Sequence, residues 1–285
     1  MSSIAASGDT ARRADVPGRS APLKSRVVSA LLLGPLALAA LYVGHPVFDL
    51  VVAGAVAIMA WEWCRLCAQG RFDISGYLFA ATVVAVAGMA AVRLYSEALI
   101  LLLAGAALVG SLVAVRSGRA PLWIAAGVLA VGATGLALLF LRAGQNGFSI
   151  AFWLVITVWA TDIAAFFTGR AIGGPRLAPT ISPNKTWAGL AGGVGAAAIW
   201  SAIWALWTDA GQAGTLALMG AGTAVLAQLG DLAVSVVKRR FGAKDASNLI
   251  PGHGGLLDRV DGVMGAAPFV ALSVALAKGD MSLWA

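Results

Sequence analysis

Charge is what this sequence has least of. Only 12% of its 285 residues are Asp, Glu, Lys or Arg, where an ordinary soluble domain carries about 25%. Hydrophobic residues make up 60% and the mean hydropathy is +0.86. These proportions exclude a soluble globular domain and point to a polytopic membrane protein. Cysteine and histidine are nearly absent, at two each. A disulfide framework is therefore excluded. Cys64 and Cys67 form a lone CxxC pair with no second pair or neighbouring histidine to complete a zinc set, and read as small apolar residues at a helix end. Acidic residues are scarcer than basic ones, 13 against 20, so the net charge is +7.

Apolar runs long enough to cross about 30 Å of hydrocarbon at about 1.5 Å per residue fall at 27–43, 47–64, 76–92, 98–115, 122–141, 148–168, 187–207, 213–235 and 262–278. The fold class expected is thus all-α, a membrane bundle of about nine helices. Residues 1–26, with five basic residues among Ser, Ala, Gly and Pro, read as a disordered cytoplasmic tail and not as a signal peptide. The helices divide into an N-terminal set (27–145) and a C-terminal catalytic region (146–285). Placing the N-terminus in the cytoplasm puts 17 of the 20 Lys and Arg on that side, leaving only Arg93, Arg142 and Lys278 opposite. The positive-inside rule therefore gives N-in, C-out. It also accounts for the basic excess without nucleic acid. The two longest loops, 169–186 and 236–261, share the cytoplasmic face.

Against this apolar background the run Ser235–Asp261, SVVKRRFGAKDASNLIPGHGGLLDRVD, concentrates five basic residues, three aspartates, one histidine and four glycines. Desolvating so many charges would cost several kcal/mol each unless they are paired or bind something. Asp162 and Asp231 lie inside apolar runs, where a carboxylate costs about 2.5–3.5 kcal/mol, and both are site candidates; a helix-packing hydrogen bond is the other reading of Asp162. Asp231 and Ser235 share a helix face, which Lys238 continues. Asp258 and Asp261 are three apart at the start of the last span. Asp231, Asp258 and Asp261 can converge at headgroup level as a hard-cation site for Mg2+, which takes one or two carboxylates with water and phosphate oxygens. The PGHGG segment, with Gly254 and Gly255, suits close approach of backbone N–H groups to an anion. His253 within it can bond a phosphate or a base. Lys238, Arg239, Arg240, Lys244 and Arg259 supply positive charge for a polyphosphate or for anionic lipid. In the other loop, Ser182 or Asn184 is expected to cap the seventh helix. Lys185 at that N-terminus suggests an anion bound there. A P-loop is absent.

These motifs resemble the phosphatidate cytidylyltransferases (CDP-diacylglycerol synthases). S-x-x-K-R, K-D, P-G-H-G-G and D-R-x-D fit that family's signature, and D-x-x-A-x-x-x-G-R from Asp162 to Arg170 and S-P-x-K-T from Ser182 to Thr186 match its second region. The resemblance is specific over roughly residues 160–265. It implies transfer of CMP from CTP to phosphatidic acid with release of pyrophosphate, dependent on Mg2+ and often K+, by a homodimer in the bacterial inner membrane. It implies that Asp231 and Asp258 hold the divalent ion with Asp261 in support, that Ser235 and Lys238 contact phosphate, and that Lys185 and Arg170 complete the pocket. The sequence departs from the family pattern at Ala188, Val234 and Gly262, each lacking a polar group found in many members. Rival readings are a CTP-dependent lipid kinase, a synthase acting on another lipid phosphate and, from another class, an ion-coupled transporter using Asp162 and Asp231.

Overall fold

The computed structural model describes residues 23–116, 120–208, 211–250 and 254–277, with side chains from residue 31 onward. Nine helices run in chain order among these residues: α1 Leu23–Val43, α2 Val47–Cys67, α3 Ile74–Ala91, α4 Tyr95–Arg116, α5 Pro121–Ala143, α6 Gly147–Ile172, α7 Trp187–Thr208, α8 Ala213–Arg240 and α9 Leu257–Leu276. Eight of them, α2 to α9, are long and apolar enough to cross a membrane. In α1 the apolar part is the shorter stretch Leu31–Val43. The expected helical bundle is observed. The tail expected over 1–26 reaches less far, since residues 23–26 already belong to α1; residues 1–22 lie outside the described residues.

Both charged loops are shorter than the apolar runs suggested, because polar residues extend the helices. Helix α6 continues to Ile172 and ends where Gly173 adopts φ 69°. The rest of that loop holds an antiparallel hairpin of β1 (Arg176–Ala178) and β2 (Ser182–Thr186), pairing Arg176 with Thr186 and Ala178 with Ser182. Strands of three and five residues are too short to leave a legible alternation. Helix α8 keeps its Lys238-Arg239-Arg240 end, where basic side chains favour the helix dipole, and α9 begins at Leu257. With 28 residues, α8 is roughly 42 Å long, well beyond the hydrocarbon thickness of about 30 Å.

The helices pack as two connected groups. In the first, α2–α5 bury a core that includes Val56, Met59, Phe79, Val83, Leu102 and Val128. In the second, α6 packs on α7, α7 on α8 and α8 on α9, around Trp153, Leu154, Leu216 and Val270. The two groups meet where α5 and α2 lie against α9. The α8–α9 crossing is close. A Cβ on Gly230 would come within 2.5 Å of the Asp261 carbonyl oxygen, and one on Gly265 within 2.0 Å of the Leu226 carbonyl oxygen. Small residues let helix backbones approach this closely in a membrane. Here they bring Asp231, next to Gly230, against Asp261. Cys64 and Cys67 are free and buried in the last turns of α2, as expected of small apolar residues.

Candidate active site

At one end of α8 and α9, carboxylates and amines interleave. Lys185, the fourth residue of β2, reaches α8 and pairs with Asp231, Nζ to Oδ2 2.6 Å. Ser235, one turn further along α8, donates from Oγ to Asp231 Oδ1 at 3.3 Å. Lys238 pairs with Asp258 of α9, Nζ to Oδ1 2.7 Å, with both side chains nearly inaccessible (11% and 5%). The other Asp258 oxygen accepts the backbone N–H groups of Ala246 (2.8 Å) and Gly255 (3.0 Å). Asp261 lies within electrostatic reach of Asp231, Lys238 and Asp162, and its Oδ1 accepts the N–H of Gly262. Asp162 on α6 accepts from Gln228 Nε2 at 3.1 Å and lies within electrostatic reach of Asp231, Lys185 and Arg259.

The hairpin is fastened to this cluster from outside. Arg239 donates from Nε to the carbonyl oxygen of Ile181 (3.2 Å) and from Nη1 to that of Ala243 (3.1 Å). It thereby ties the hairpin turn to the loop after α8. Arg170 stands at the exposed end of α6, and Lys244 and Arg259 are exposed around the same loop. Gly254, at φ 81°, closes a backbone bridge to Ile250, and Asp258 Oδ2 would lie 2.8 Å from a Cβ there. His253 lies outside the described residues.

Three expectations change in this arrangement. Neither Ser182 nor Asn184 caps α7: both belong to β2, and Thr186 Oγ1 accepts the N–H of Gly189 at 3.0 Å instead. The hairpin carries the chain up to Trp187 and leaves Thr186 at the capping position. Second, Asp231, Asp258 and Asp261 are not gathered as three ligands around one point. Among the described residues no group of three His, Cys, Asp or Glu side chains is so arranged, because Asp258 is held by Lys238 and two backbone N–H groups. Third, Asp162 makes the packing hydrogen bond and also stands among the site's charges, so its two readings coincide. Two of the departures from the family pattern, Val234 and Gly262, are absorbed by packing. Val234 is buried in the apolar core, and a Cβ on Gly262 would come to 3.1 Å from Val158 Cγ1.

Two participants lay outside the motif reading. Gln228 precedes Asp231 by three residues, so helical spacing already placed it on the same face. Glu62 of α2 is fully buried and accepts hydrogen bonds from Ser247, Leu256 and Leu257. The one signal for it in the sequence was a carboxylate inside an apolar run.

The donor set suits a divalent cation by charge. Among the described residues four carboxylates, Asp162, Asp231, Asp258 and Asp261, are interleaved with three cations, the ammonium groups of Lys185 and Lys238 and the Arg259 guanidinium. Mg2+ completes its shell with water and phosphate oxygens and so needs no closed protein cage.

Residues 24–277 match the sequence model of the cytidylyltransferase family. The chain is 39% identical over 253 residues to a phosphatidate cytidylyltransferase of Brucella suis, covering 88% of this chain and 92% of that one. It is similarly 37% identical over 261 residues to the enzyme of that name from Pseudomonas aeruginosa (87% and 96% covered), and 33% identical over 278 residues to the one from Haemophilus influenzae (87% and 96%).

Proposed function

The chain belongs to the cytidylyltransferase family, and from that premise we propose that it transfers CMP from CTP to phosphatidic acid, giving CDP-diacylglycerol and pyrophosphate. The observation that carries this reading is the twin pairing Lys185–Asp231 and Lys238–Asp258. It joins two stretches of sequence more than 40 residues apart into one charged site, at the end of helices long enough to span a bilayer. A soluble triphosphate and a membrane-embedded phosphate meet naturally at such a place.

A phosphate oxygen of phosphatidic acid attacks the α-phosphorus of CTP. The bond from that phosphorus to the oxygen bridging it to the β-phosphorus breaks, and pyrophosphate leaves with the electron pair. The nucleophile is already an anion near neutral pH, so no dedicated general base is required. Positioning and charge neutralisation carry the rate. Lys185, Lys238 and Ser235 are the groups offered to the phosphates, with Arg170, Arg239, Lys244 and Arg259 forming a basic rim and Gly254 and Gly255 beside it; a role for His253 in binding phosphate or base is proposed from the sequence alone. Asp231 and Asp261 are the residues that would hold Mg2+, which takes one or two carboxylates, with Asp258 in support through its hold on Lys238 and K+ as a further activating ion. Bound there, the divalent ion would offset charge on the phosphates. In the chain's own contribution, Asp258 fixes the Lys238 ammonium at 2.7 Å, and Asp231 fixes that of Lys185.

The basic loops support a cytoplasmic location of the site, with N-in, C-out topology in a bacterial inner membrane, and the family resemblance supports a homodimer. Reporter fusions at the loops and crosslinking in membranes test these two points. Incubating purified protein with CTP, phosphatidic acid and Mg2+ tests the reaction: CDP-diacylglycerol and pyrophosphate are expected, whereas phosphorylated lipid and CDP would overturn the reading in favour of a lipid kinase.

A further inference from the structure

Helix α9 opens without a cap of its own. Leu256 precedes its first residue and offers no side-chain acceptor, yet the first N–H groups of a helix have no partner within it. Glu62, near the end of α2, fills that place from the other half of the chain. Its Oε1 accepts from Leu256 N (2.9 Å) and from Ser247 Oγ (2.6 Å), and its Oε2 accepts from Leu257 N (2.6 Å). The carboxylate is inaccessible to solvent. The positive end of the α9 dipole favours its charge. Gly255 makes the approach possible, because a Cβ there would come within 2.6 Å of Glu62 Oε1. The neighbouring Trp63 donates from Nε1 to the carbonyl oxygen of Trp123 on α5 at 2.9 Å, which pins this part of α2.

We propose that Glu62 is a positioning residue for cytidylyl transfer, a cap in trans that sets the depth and rotation of the α9 N-terminus. Asp258 follows Leu257 directly and grips the same loop through the N–H groups of Gly255 and Ala246. Asp261 lies less than one helical turn further on. Glu62 and Asp258 thus hold the loop before α9 from two sides. Displacing the cap moves both site aspartates and, through Asp258, the Lys238 ammonium. The inference rests on the reading of Asp258 and Lys238 as parts of the active site.

The test compares Glu62→Asp with Glu62→Gln in full-length protein, assayed with CTP, phosphatidic acid and varied Mg2+, alongside Asp258→Ala. Gln matches Glu in shape but turns an N–H donor toward a backbone N–H; Asp keeps the charge and both acceptors one methylene short. A displacement of about 1 Å at a reacting centre costs on the order of 100-fold, so Glu62→Gln is expected to lower kcat by about 10- to 100-fold. The KM for CTP should stay within about threefold and the Mg2+ concentration for half-maximal rate should rise, with Glu62→Asp retaining more kcat than Glu62→Gln. Gln equal to or better than Asp, or either at the wild-type rate with unchanged Mg2+ dependence, overturns the inference. Should Glu62→Gln fail to insert, Gly255→Ala pushes a methyl group into the same carboxylate and is expected to give the same kcat and Mg2+ signature; wild-type behaviour there overturns it equally. Wild-type turnover in Asp258→Ala would sink the site reading and the inference that rests on it, whereas an inactive Asp258→Ala with Gln outperforming Asp at position 62 would sink the capping role alone.

Discussion

Asp258 is held by one ammonium and two backbone N–H groups on a side chain 5% accessible. Asp258→Asn should therefore abolish CMP transfer, at least about 100-fold in kcat, while the protein still inserts, as read by membrane yield and product formation. Removing its partner should behave differently. Lys238→Met leaves a buried carboxylate uncompensated, a loss of about 3–5 kcal/mol, so a lowered thermal midpoint should accompany lost activity. Replacing both, Lys238→Met with Asp258→Leu, should recover much of that stability and none of the turnover. Such a result would separate what the pair does for folding from what it does for chemistry. Sequence spacing exposed Asp231, Ser235, Lys238, Asp258 and Asp261 because charge is rare in this chain. It did not reveal that Lys238 serves Asp258 and Lys185 serves Asp231, since those partners are 20 and 46 positions apart.

Among the elements, helix length and crossing decide where these residues stand. Helix α8 exceeds the apolar layer by roughly 10 Å in total, and its basic residues Lys238, Arg239 and Arg240 are gathered in its last turn. The crossing of α8 on α9 depends on Gly230 and Gly265 meeting face to face. Gly230→Val should force the helices apart beside Asp231 and Asp261, at a cost of about 1–3 kcal/mol for overpacking, measured as a lower melting temperature in detergent together with reduced turnover. Arg239→Ala removes two bonds to carbonyl oxygens at the exposed hairpin junction. It should lower activity by a few-fold and change thermal stability little, because exposed neutral-acceptor bonds contribute on the order of 1 kcal/mol. The hairpin itself was hidden from the periodicity of the sequence. Its strands are shorter than the window in which alternation becomes visible.

For the whole molecule, the motifs gather in the C-terminal half, yet that half is not self-sufficient in the structure. Helix α9 packs on α5 and α2, and its N-terminal N–H groups are satisfied by Glu62. Residues 146–285 expressed alone should accordingly insert without CMP transfer. Co-expression of residues 1–145 should restore part of the activity, as read by CDP-diacylglycerol formed in membranes. Full activity from the C-terminal part alone would show that the N-terminal helices are dispensable.

By itself the sequence determined the membrane class, the positions of the long helices and the identity of most charged residues at the site. Hydrocarbon thickness sets a minimum apolar length, and each charge in so apolar a chain demands a reason. Only the tertiary structure decided which amine meets which carboxylate, that Thr186 rather than Ser182 caps α7, and that Glu62 crosses from α2 to cap α9. Those outcomes depend on contacts between residues up to 195 positions apart. No local period records such contacts, because they arise only when helix packing brings separate segments together.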